Sequence, residues 1–167
     1  MRPGIAIRPE EPGDAEGVFA VHEAAFGGTA EARLVAALRE EGDLALGLTA
    51  FGDRPVGHIA FPRLTLEGSD LKAVALAPLA ILPAFQNHGI GTALVEAALR
   101  MLRERAEDLV LVRGHLTYYP RFGFSTDFAS RFRAPYDGPG MHALALSERG
   151  QDASGRVHYP SAFARLL

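Results

Sequence analysis

The feature that most constrains this chain is a strand, a glycine turn and a helix that follow one another between Val74 and Arg105. The apolar run Val74–Leu82 has the length of a buried strand and ends at Pro83. After the turn, apolar residues recur at spacings of three and four, which predicts a helix with one apolar face. The residues of that face are Ile90, Ala93, Leu94, Ala97, Ala98, Met101 and Leu102. The sequence therefore predicts a buried strand packed against the helix that follows it.

The turn between this strand and this helix places Gly89 and Gly91 at the start of the helix. Glycine lets a ligand approach the backbone closely, and the first N–H groups of a helix have no partner within it. The helix dipole also favours an anion at this end. The turn lacks the lysine of a nucleotide P-loop and the third glycine of the dinucleotide fingerprint. It therefore predicts an anion site of another kind, and a plain packing turn is the alternative.

The run Gln86–Gly91 has the pattern Q-x-x-G-x-G after a buried strand with an internal proline. This pattern resembles motif A of the GNAT N-acetyltransferase superfamily, which binds acetyl-coenzyme A (acetyl-CoA). The resemblance implies acetyl-CoA as cosubstrate, with its diphosphate in the turn and its pantetheine arm along the strand. The residues implied for the pantetheine arm, through their backbone groups, are Leu79, Ala80 and Ile81. The residues implied for the diphosphate are Asn87, His88, Gly89, Ile90, Gly91 and Thr92.

Pro78 interrupts the apolar strand. Because proline cannot donate to a sheet ladder, it marks an edge or a bulge, and this run is too apolar for an exposed edge. We therefore predict a bulge, and a shorter strand that starts at Leu79 is the alternative. The resemblance implies that the fourth strand bends away from the fifth here, which opens a gap for the pantetheine arm.

A second motif covers Tyr118–Phe124 and resembles motif B of the same superfamily, in which a tyrosine stands four residues before a Gly-Phe pair. Tyr119 holds that position, so the resemblance implies that its hydroxyl lies near the coenzyme sulfur and protonates the departing thiolate. The alternative is that Tyr118 and Tyr119 are packing aromatics. The usual N-x-x-A part of motif B is missing, and Gly114-His115 stands in its place. That departure matches the subgroup of predicted acetyltransferases called YhbS-like, and the likeness extends over most of the chain.

Hydrophobic periods and turn residues predict the element order β-α-α-β-β-β-α-β-turn-β-β. The predicted helices before the glycine turn are Ala15–Phe26, capped by Asp14, and Ala30–Glu40, capped by Thr29. The predicted strands are Ile5–Arg8, Leu44–Phe51, Val56–Phe61, Leu71–Leu82, Leu109–Val112, a short one near Phe132, and Met141–Leu146. This order is expected of a GNAT fold.

The predicted fold class is therefore α/β (α+β), with a mixed, mostly antiparallel sheet of about seven strands and flanking helices. The resemblance adds splayed fourth and fifth strands. We predict a single domain over residues 1–167, because the chain has neither internal repeats nor a linker-like segment.

The sequence does not single out the group that accepts the proton of the attacking amine. In this superfamily an amine attacks the thioester carbonyl directly, so a base must take its proton, and free N–H groups of the bulged strand would stabilise the oxyanion. Members with a carboxylate on the fourth strand use it as the base, but Val74–Leu82 contains no acid. The candidates are Glu31, His58 and His115, each with a structural alternative. These alternatives are helix-dipole complementation, a satisfied strand histidine and a loop cap, respectively. Tyr119, Glu31 and His115 are the predicted catalytic residues.

Composition excludes several partners. The net charge of −3 and the single lysine leave no basic stretch for nucleic acid. The absence of cysteine and of paired histidine spacings predicts no metal site. Since no segment has the length of a leader or a membrane span, we expect a cytoplasmic protein without membrane contact.

The expected function is an acetyl-CoA-dependent N-acetyltransferase, an acyltransferase that acts on a primary amine of a small-molecule substrate. A non-catalytic acyl-CoA-binding sensor or scaffold is the alternative, which the missing carboxylate favours. A third reading replaces the small molecule with a protein N-terminus or lysine. The carboxylates of Glu23, Glu31 and Asp137 are candidates to hold a cationic amine. A homodimer would follow the superfamily habit.

Overall fold

A mixed sheet forms the framework of the computed structural model, which describes residues 4–136 and 138–165. Within these ranges its strands are β1 (Ala6–Pro9), β2 (Leu44–Phe51), β3 (Pro55–Leu66), β4 (Ala73–Ala75), β5 (Leu79–Ile81), β6 (Leu109–Arg113), β7 (Phe132–Arg133), β8 (Met141–Ala145) and β9 (Gly155–His158). Neighbouring strands follow the order β1-β2-β3-β4-β6-β8, while β5 pairs with β3, and β9 pairs with β3 and β7. The pairs β4–β6 and β7–β9 are parallel and the others are antiparallel.

Helices flank this sheet. The helices of the described ranges are α1 (Ala15–Phe26), α2 (Ala30–Glu40), α3 (Ile90–Glu104), α4 (Thr126–Ala129) and α5 (Glu148–Gln151), with 3-10 turns at Pro12–Asp14, Pro83–Phe85, Tyr119–Phe122 and Ser161–Arg165. None of these helices is both long enough and apolar enough to span a membrane.

The bounds of α1 and α2 agree with the prediction, but the predicted caps are wrong. Neither Asp14 nor Thr29 bonds the start of its helix through its side chain. The Asp14 carboxylate instead accepts a hydrogen bond from Arg8 Nη1 at 2.6 Å and one from the Glu11 N–H at 2.9 Å. A charged partner on β1 therefore holds this carboxylate in place of the helix N–H groups.

Strand β3 is longer than the predicted Val56–Phe61 because it has three successive partners along one edge. After β5 it pairs with β4 at Arg63 and Leu64 and then with β9 at Thr65 and Leu66. The partner β9 lies in a segment where the sequence patterns predict no strand. Its pairing joins the C-terminal part of the chain to the middle of the sheet.

The predicted strand Leu71–Leu82 is interrupted rather than bulged. Its first part, β4, pairs with both β3 and β6, whereas its second part, β5, pairs with β3 alone. Between them the Ala77–Pro78 peptide bond is cis, and Ala60 keeps hydrogen bonds to both residues of that bond at 3.0 and 3.1 Å. The chain thus stays on β3 while it leaves β6, and the sheet is open between β5 and the end of β6.

Helix α3 covers one face of the sheet with an apolar face that is shifted from the predicted one, because Val95 and Leu99 are buried whereas Ala93, Ala97 and Met101 are only half-buried. Its buried residues are Ile90, Leu94, Val95, Ala98, Leu99 and Leu102. They share a cluster with Phe61 of β3 and Val112 of β6, while Leu109 and Leu111 of β6 belong to the cluster on the opposite face. Burying a side chain of this size contributes about 1.5–3 kcal/mol to stability. This packing fixes the start of α3 beside the end of β5.

Candidate active site

A cavity of about 550 Å³ lies where the sheet opens between β5 and the end of β6. Its walls are the end of β5, the glycine turn with the first residues of α3, and the loop after β6. The residues that line it are Leu79, Ile81, Phe85, Gln86, Asn87, Gly89, Ile90, Gly91, Thr92, Gly114, His115, Tyr118 and Tyr119. We refer to it as the β5 cavity. Folding therefore brings the two sequence motifs to opposite walls of one cleft.

The register of β5 leaves alternate peptide groups facing this cavity. The Ala60 N–H donates to the Pro78 carbonyl at 3.1 Å, and the Leu82 N–H donates to the Val56 carbonyl at 2.8 Å. Because successive residues of an antiparallel strand direct their peptide groups to opposite sides, Ala80 bonds to β3 while Leu79 and Ile81 face away from it. The Gln86 side-chain amide donates to the Ile81 carbonyl at 3.0 Å. The remaining groups of Leu79 and Ile81 form a short, unpaired strand edge.

This edge leads into the start of α3. Asn87 and Gly89 both have positive φ, at 64° and 80°, and so form the tight turn before the helix. No side chain caps the helix, so its first N–H groups have no partner of that kind. At Gly91 an added Cβ would meet only the Leu79 side chain, at 4.0 Å. Since the protein's own packing leaves room there, the missing side chain keeps space free above these N–H groups.

Tyr119 forms part of the opposite wall and is 8% exposed. Its ring packs against Phe124 and His142, with ring centroids 5.7 and 5.9 Å apart. A Cβ on Gly114 would overlap the Tyr119 ring, which explains the glycine at the end of β6. Burial, and to a lesser degree the neighbouring Tyr118, raises the pKa of the Tyr119 phenol to about 12. The phenol is therefore a proton donor throughout the physiological pH range.

Tyr118 joins the two walls of the cleft. Its hydroxyl and the Thr92 hydroxyl on α3 lie 2.8 Å apart and share a hydrogen bond. The Arg121 guanidinium stacks on the Tyr118 ring, with Cζ 4.4 Å from the ring centroid, and its Nε donates to the Tyr118 carbonyl at 2.9 Å. Arg121 forms no ion pair with any residue of the described ranges. The position of this positive charge could not be predicted from the sequence, because no motif relates Arg121 to the start of α3.

Other predicted residues lie elsewhere. Ala80 and His88 do not line the β5 cavity, and Ala80 directs its backbone toward β3. Among the candidate bases, exposed His115 lines the cavity. Half-buried Glu31, on the first turn of α2, does not line it. Glu23 is exposed on α1. Asp137 lies outside the described residues.

His58 belongs to a buried network on the face of β3 opposite α3. Its Nε2 lies 2.7 Å from Glu10 Oε1, and its Nδ1 lies 2.9 Å from Nε2 of His22 on α1. Burial alone would raise the pKa of Glu10, but hydrogen bonds from His58 and Arg39 outweigh it and lower that pKa to about 2. Glu10 is therefore an acceptor, so His58 donates to it through Nε2, while Nδ1 of His58 shares a hydrogen bond with Nε2 of His22. With both ring nitrogens bonded, His58 has the features of a satisfied structural histidine.

The partner of His58 is a neutral histidine. Burial, followed by the positive charge that His58 and Arg39 would present, lowers the pKa of His22 to about 3. Its Nδ1 is buried and has no hydrogen-bond partner in the described part of the chain. In residues 4–136 and 138–165, no group of three His, Cys, Asp or Glu side chains is arranged to hold a metal ion.

Comparison with known proteins identifies the family that this chain resembles in sequence and in structure. The model of the acetyltransferase (GNAT) family matches residues 10–124. The protein named Uncharacterized N-acetyltransferase YhbS, from Escherichia coli (strain K12), is 35% identical over 167 residues, which cover 96% of this chain and 99% of that protein. Uncharacterized N-acetyltransferase YjhQ of the same strain is 40% identical over 136 residues, which cover 77% and 75% of the two chains.

Two solved structures are similar over nearly their whole length. The crystal structure of the E. coli GNAT family N-acetyltransferase YhbS in complex with CoA has a TM-score of 0.90 and 33% identity, and covers 99% of this chain and 96% of its own. The GNAT family acetyltransferase from Brucella melitensis in complex with acetyl-CoA has a TM-score of 0.82 and 33% identity, and covers 95% and 97%. These likenesses confirm the expected fold and enzyme class. The chain therefore belongs to the GNAT family of N-acetyltransferases.

Proposed function

We propose that the β5 cavity binds acetyl-CoA as cosubstrate and that the chain transfers its acetyl group to a primary amine of a small molecule. The observation that carries this proposal is the unpaired edge of β5, which leads directly into the uncapped start of α3. A ligand with amide groups at one end and a diphosphate at the other matches these two features in order. The CoA and acetyl-CoA bound by the two similar structures have this make-up.

In this proposal the pantetheine arm pairs with Leu79 and Ile81, and Ala80 contributes by holding the strand on β3. The diphosphate takes the N–H groups from Gly89 to Thr92, with Asn87 at the turn. Arg121 does not itself line the cavity, and it is proposed to supply positive charge from behind Tyr118, on whose ring its guanidinium stacks. His88 does not line the cavity, and its proposed contribution is therefore limited to the backbone of the turn.

The chemistry follows from where proton donors and acceptors lie. The amine nitrogen attacks the thioester carbonyl, and unpaired N–H groups at β5 stabilise the oxyanion. As the C–S bond breaks, Tyr119 donates its phenolic proton to the departing thiolate, which suits a buried phenol that stays protonated. His115 is the proposed acceptor of the amine proton, because it is the candidate base that lines the cavity. Glu31 does not line the cavity, so it is proposed only to contact the acceptor as it approaches the site, and not to act as the base.

Coenzyme binding is tested first by thermal melting with and without acetyl-CoA. A ligand at about 100 times its Kd stabilises the native state by about 2.7 kcal/mol, which gives a measurable rise in Tm. In Gly91→Glu the side chain fills the free space and its charge opposes the diphosphate, so we expect this rise to disappear. The control is Gly28→Glu, which adds the same group at a glycine with open space outside the cavity. An unchanged Tm of the wild type at millimolar acetyl-CoA would refute the binding site.

Catalysis is tested by release of the CoA thiol from acetyl-CoA in the presence of a panel of primary amines. Amine-dependent release establishes acetyl transfer. A protein that binds acetyl-CoA but acetylates no amine, peptide N-terminus or lysine would be the non-catalytic binding module instead. Two observations favour this second function. Strands β4 and β5 carry no acid, and both ring nitrogens of His58 are engaged in hydrogen bonds.

A further inference from the structure

A second cavity, of about 530 Å³, lies next to the β5 cavity on the other side of the loop after β6. Its walls come from α4, β7, the start of β8 and the loop before it, and from Leu116. We refer to it as the α4 cavity. Its volume falls in the range typical of small-molecule sites. Nothing in the coenzyme site uses this space.

A single stretch of backbone separates the two cavities. Gly114 and His115 line the β5 cavity, whereas the next residue, Leu116, lines the α4 cavity. The Gly114 N–H donates to the carbonyl of Gly140, which also lines the α4 cavity, at 2.9 Å. A Cβ on Gly140 would lie 2.8 Å from the Gly114 carbonyl oxygen, so its glycine allows this close approach. A molecule in the α4 cavity therefore lies directly beside the loop that carries Tyr119.

The lining of the α4 cavity is apolar with one positive charge. Leu116, Phe132 and Met141 supply apolar surface, and Leu116 is 61% exposed. Arg133 is the one charged side chain among the described residues that line it. A cationic guest would meet a like charge there, whereas a carboxylate would find a guanidinium that can bind both of its oxygens.

The charge on Arg133 is free for such a role. It forms no ion pair with another residue of the described ranges, although it lies beside Arg156 of β9 in the parallel register. That neighbour is already engaged, since Arg156 Nε lies 3.5 Å from Glu67 Oε2. Within residues 4–136 and 138–165, Glu67 is the one acidic partner of these two adjacent arginines, which leaves positive charge at the side of the cavity that Arg133 lines.

We propose that the α4 cavity holds the body of the acceptor, and that the acceptor is a small amine carrying an apolar group and a carboxylate that pairs with Arg133. This inference rests on the acetyl transfer proposed above and adds the class of its acceptor, an apolar amino carboxylate. The amine lies at the Leu116 end of this cavity, next to His115 of the β5 cavity, while the apolar group packs against Phe132.

Pairs of amines that differ by one carboxylate test this assignment: L-phenylalanine against 2-phenylethylamine, and L-leucine against isopentylamine. For each pair we would measure the ratio of kcat/KM with and without the carboxylate, so that intrinsic amine reactivity cancels between protein variants. In Arg133→Gln the ratio should fall about tenfold, the usual scale for a lost charge-assisted contact. In Arg156→Gln, the matched control on the next strand, it should keep its wild-type value. Leu116→Glu should also lower it, by repelling the carboxylate.

Equal ratios in the wild type and Arg133→Gln, or equal losses in Arg133→Gln and Arg156→Gln, would overturn the assignment. A preference for spermidine that is indifferent to Arg133 would do the same. Calorimetric titration of L-phenylalanine into the CoA-loaded protein separates this inference from the proposed function. Binding that is lost in Arg133→Gln, without turnover of any amine, would support an amino-carboxylate site in the α4 cavity but refute acetyl transfer and with it the role of acceptor. Turnover in which binding does not depend on Arg133 would support acetyl transfer and refute the acceptor site.

Discussion

At the scale of single residues, the proposed chemistry depends on the phenol of Tyr119, which burial keeps protonated. Burial raises the pKa of the Tyr119 phenol to about 12. Because Gly114 has no side chain, the Tyr119 ring can lie close to the end of β6. The resemblance to motif B singled out this tyrosine, which stands four residues before a Gly-Phe pair. It did not predict the reason for its protonation, because burial depends on Phe124 and His142, which reach the ring only after folding.

Removing this hydroxyl gives the first residue-scale prediction. In Tyr119→Phe we expect kcat with the best amine of the panel to fall about a hundredfold, since general acid catalysis contributes on that order. The Kd for acetyl-CoA should stay the same, because the ring remains in place. The control is Tyr136→Phe, which removes a hydroxyl from a ring that packs on Tyr159 and Phe163 away from the cleft. An unchanged kcat in Tyr119→Phe would leave this phenol with a packing role only.

At the scale of elements, strand β5 has two edges of different character. Ala80 donates to β3, whereas the N–H groups of Leu79 and Ile81 face the cavity. We expect the amides of Leu79 and Ile81 to exchange quickly with solvent deuterons in the free protein and to become protected when acetyl-CoA binds. The Ala80 amide should be protected in both states and is the internal control. Residue-resolved hydrogen exchange by NMR makes this comparison, and three equally protected amides in the free protein would contradict the register argument.

Sequence patterns predicted the elements best where local signals suffice. The helices α1 and α2 and the strand β2 lie where the periodicity and the turn residues placed them. The pattern did not predict β9, because four residues with a single buried side chain give no alternation to detect. For Leu71–Leu82 it predicted a bulge at Pro78 and gave a shorter strand that starts at Leu79 as the alternative, and the alternative agrees with the observed start of β5. Only the pairing with β6, which is distant in sequence, distinguishes the two halves.

At the scale of the whole molecule, the candidate site is assembled from segments that no local pattern connects. The coenzyme motif predicted one wall of the β5 cavity, and the tyrosine motif predicted the other. The α4 cavity escaped prediction entirely, because it forms only when Leu116, α4 and the loop before β8 come together. The network of Glu10, His22 and His58 was not predicted for the same reason. Glu10 follows β1, whereas His22 lies on α1 and His58 on β3.

This network predicts how global stability depends on pH. The pKa of His22 is about 3 in the folded chain, against a usual value of 6.5, so the unfolded chain binds more protons between these limits. Stability must therefore rise with pH through this window and be lost on acidification below about 6.5. From pH 7.5 to pH 5 we expect the free energy of unfolding to fall by about 2 kcal/mol from this group alone. Glu10, whose pKa is also lowered, adds a loss of the same sign at still lower pH.

Urea unfolding at these two pH values measures the effect. In His22→Gln, whose side-chain amide can still hydrogen-bond to His58, we expect a lower stability at pH 7.5 but a much smaller change between pH 7.5 and pH 5. The control is His158→Gln, at an exposed histidine of β9. If both variants retain the full pH dependence of the wild type, the acid sensitivity arises elsewhere.

The interruption between β4 and β5 also bears on association with other chains. An unpaired strand edge ordinarily invites edge-to-edge pairing and aggregation. Here the open edge of β5 is recessed between the start of α3 and the Tyr118–Tyr119 loop, whose hydroxyl contact to Thr92 crosses the cleft. A slender ligand can lie along that edge, whereas a second polypeptide with side chains on both faces would meet these walls. The two walls of the β5 cavity would thus hinder strand pairing with a second chain at this edge, while a ligand narrower than a strand could lie along it.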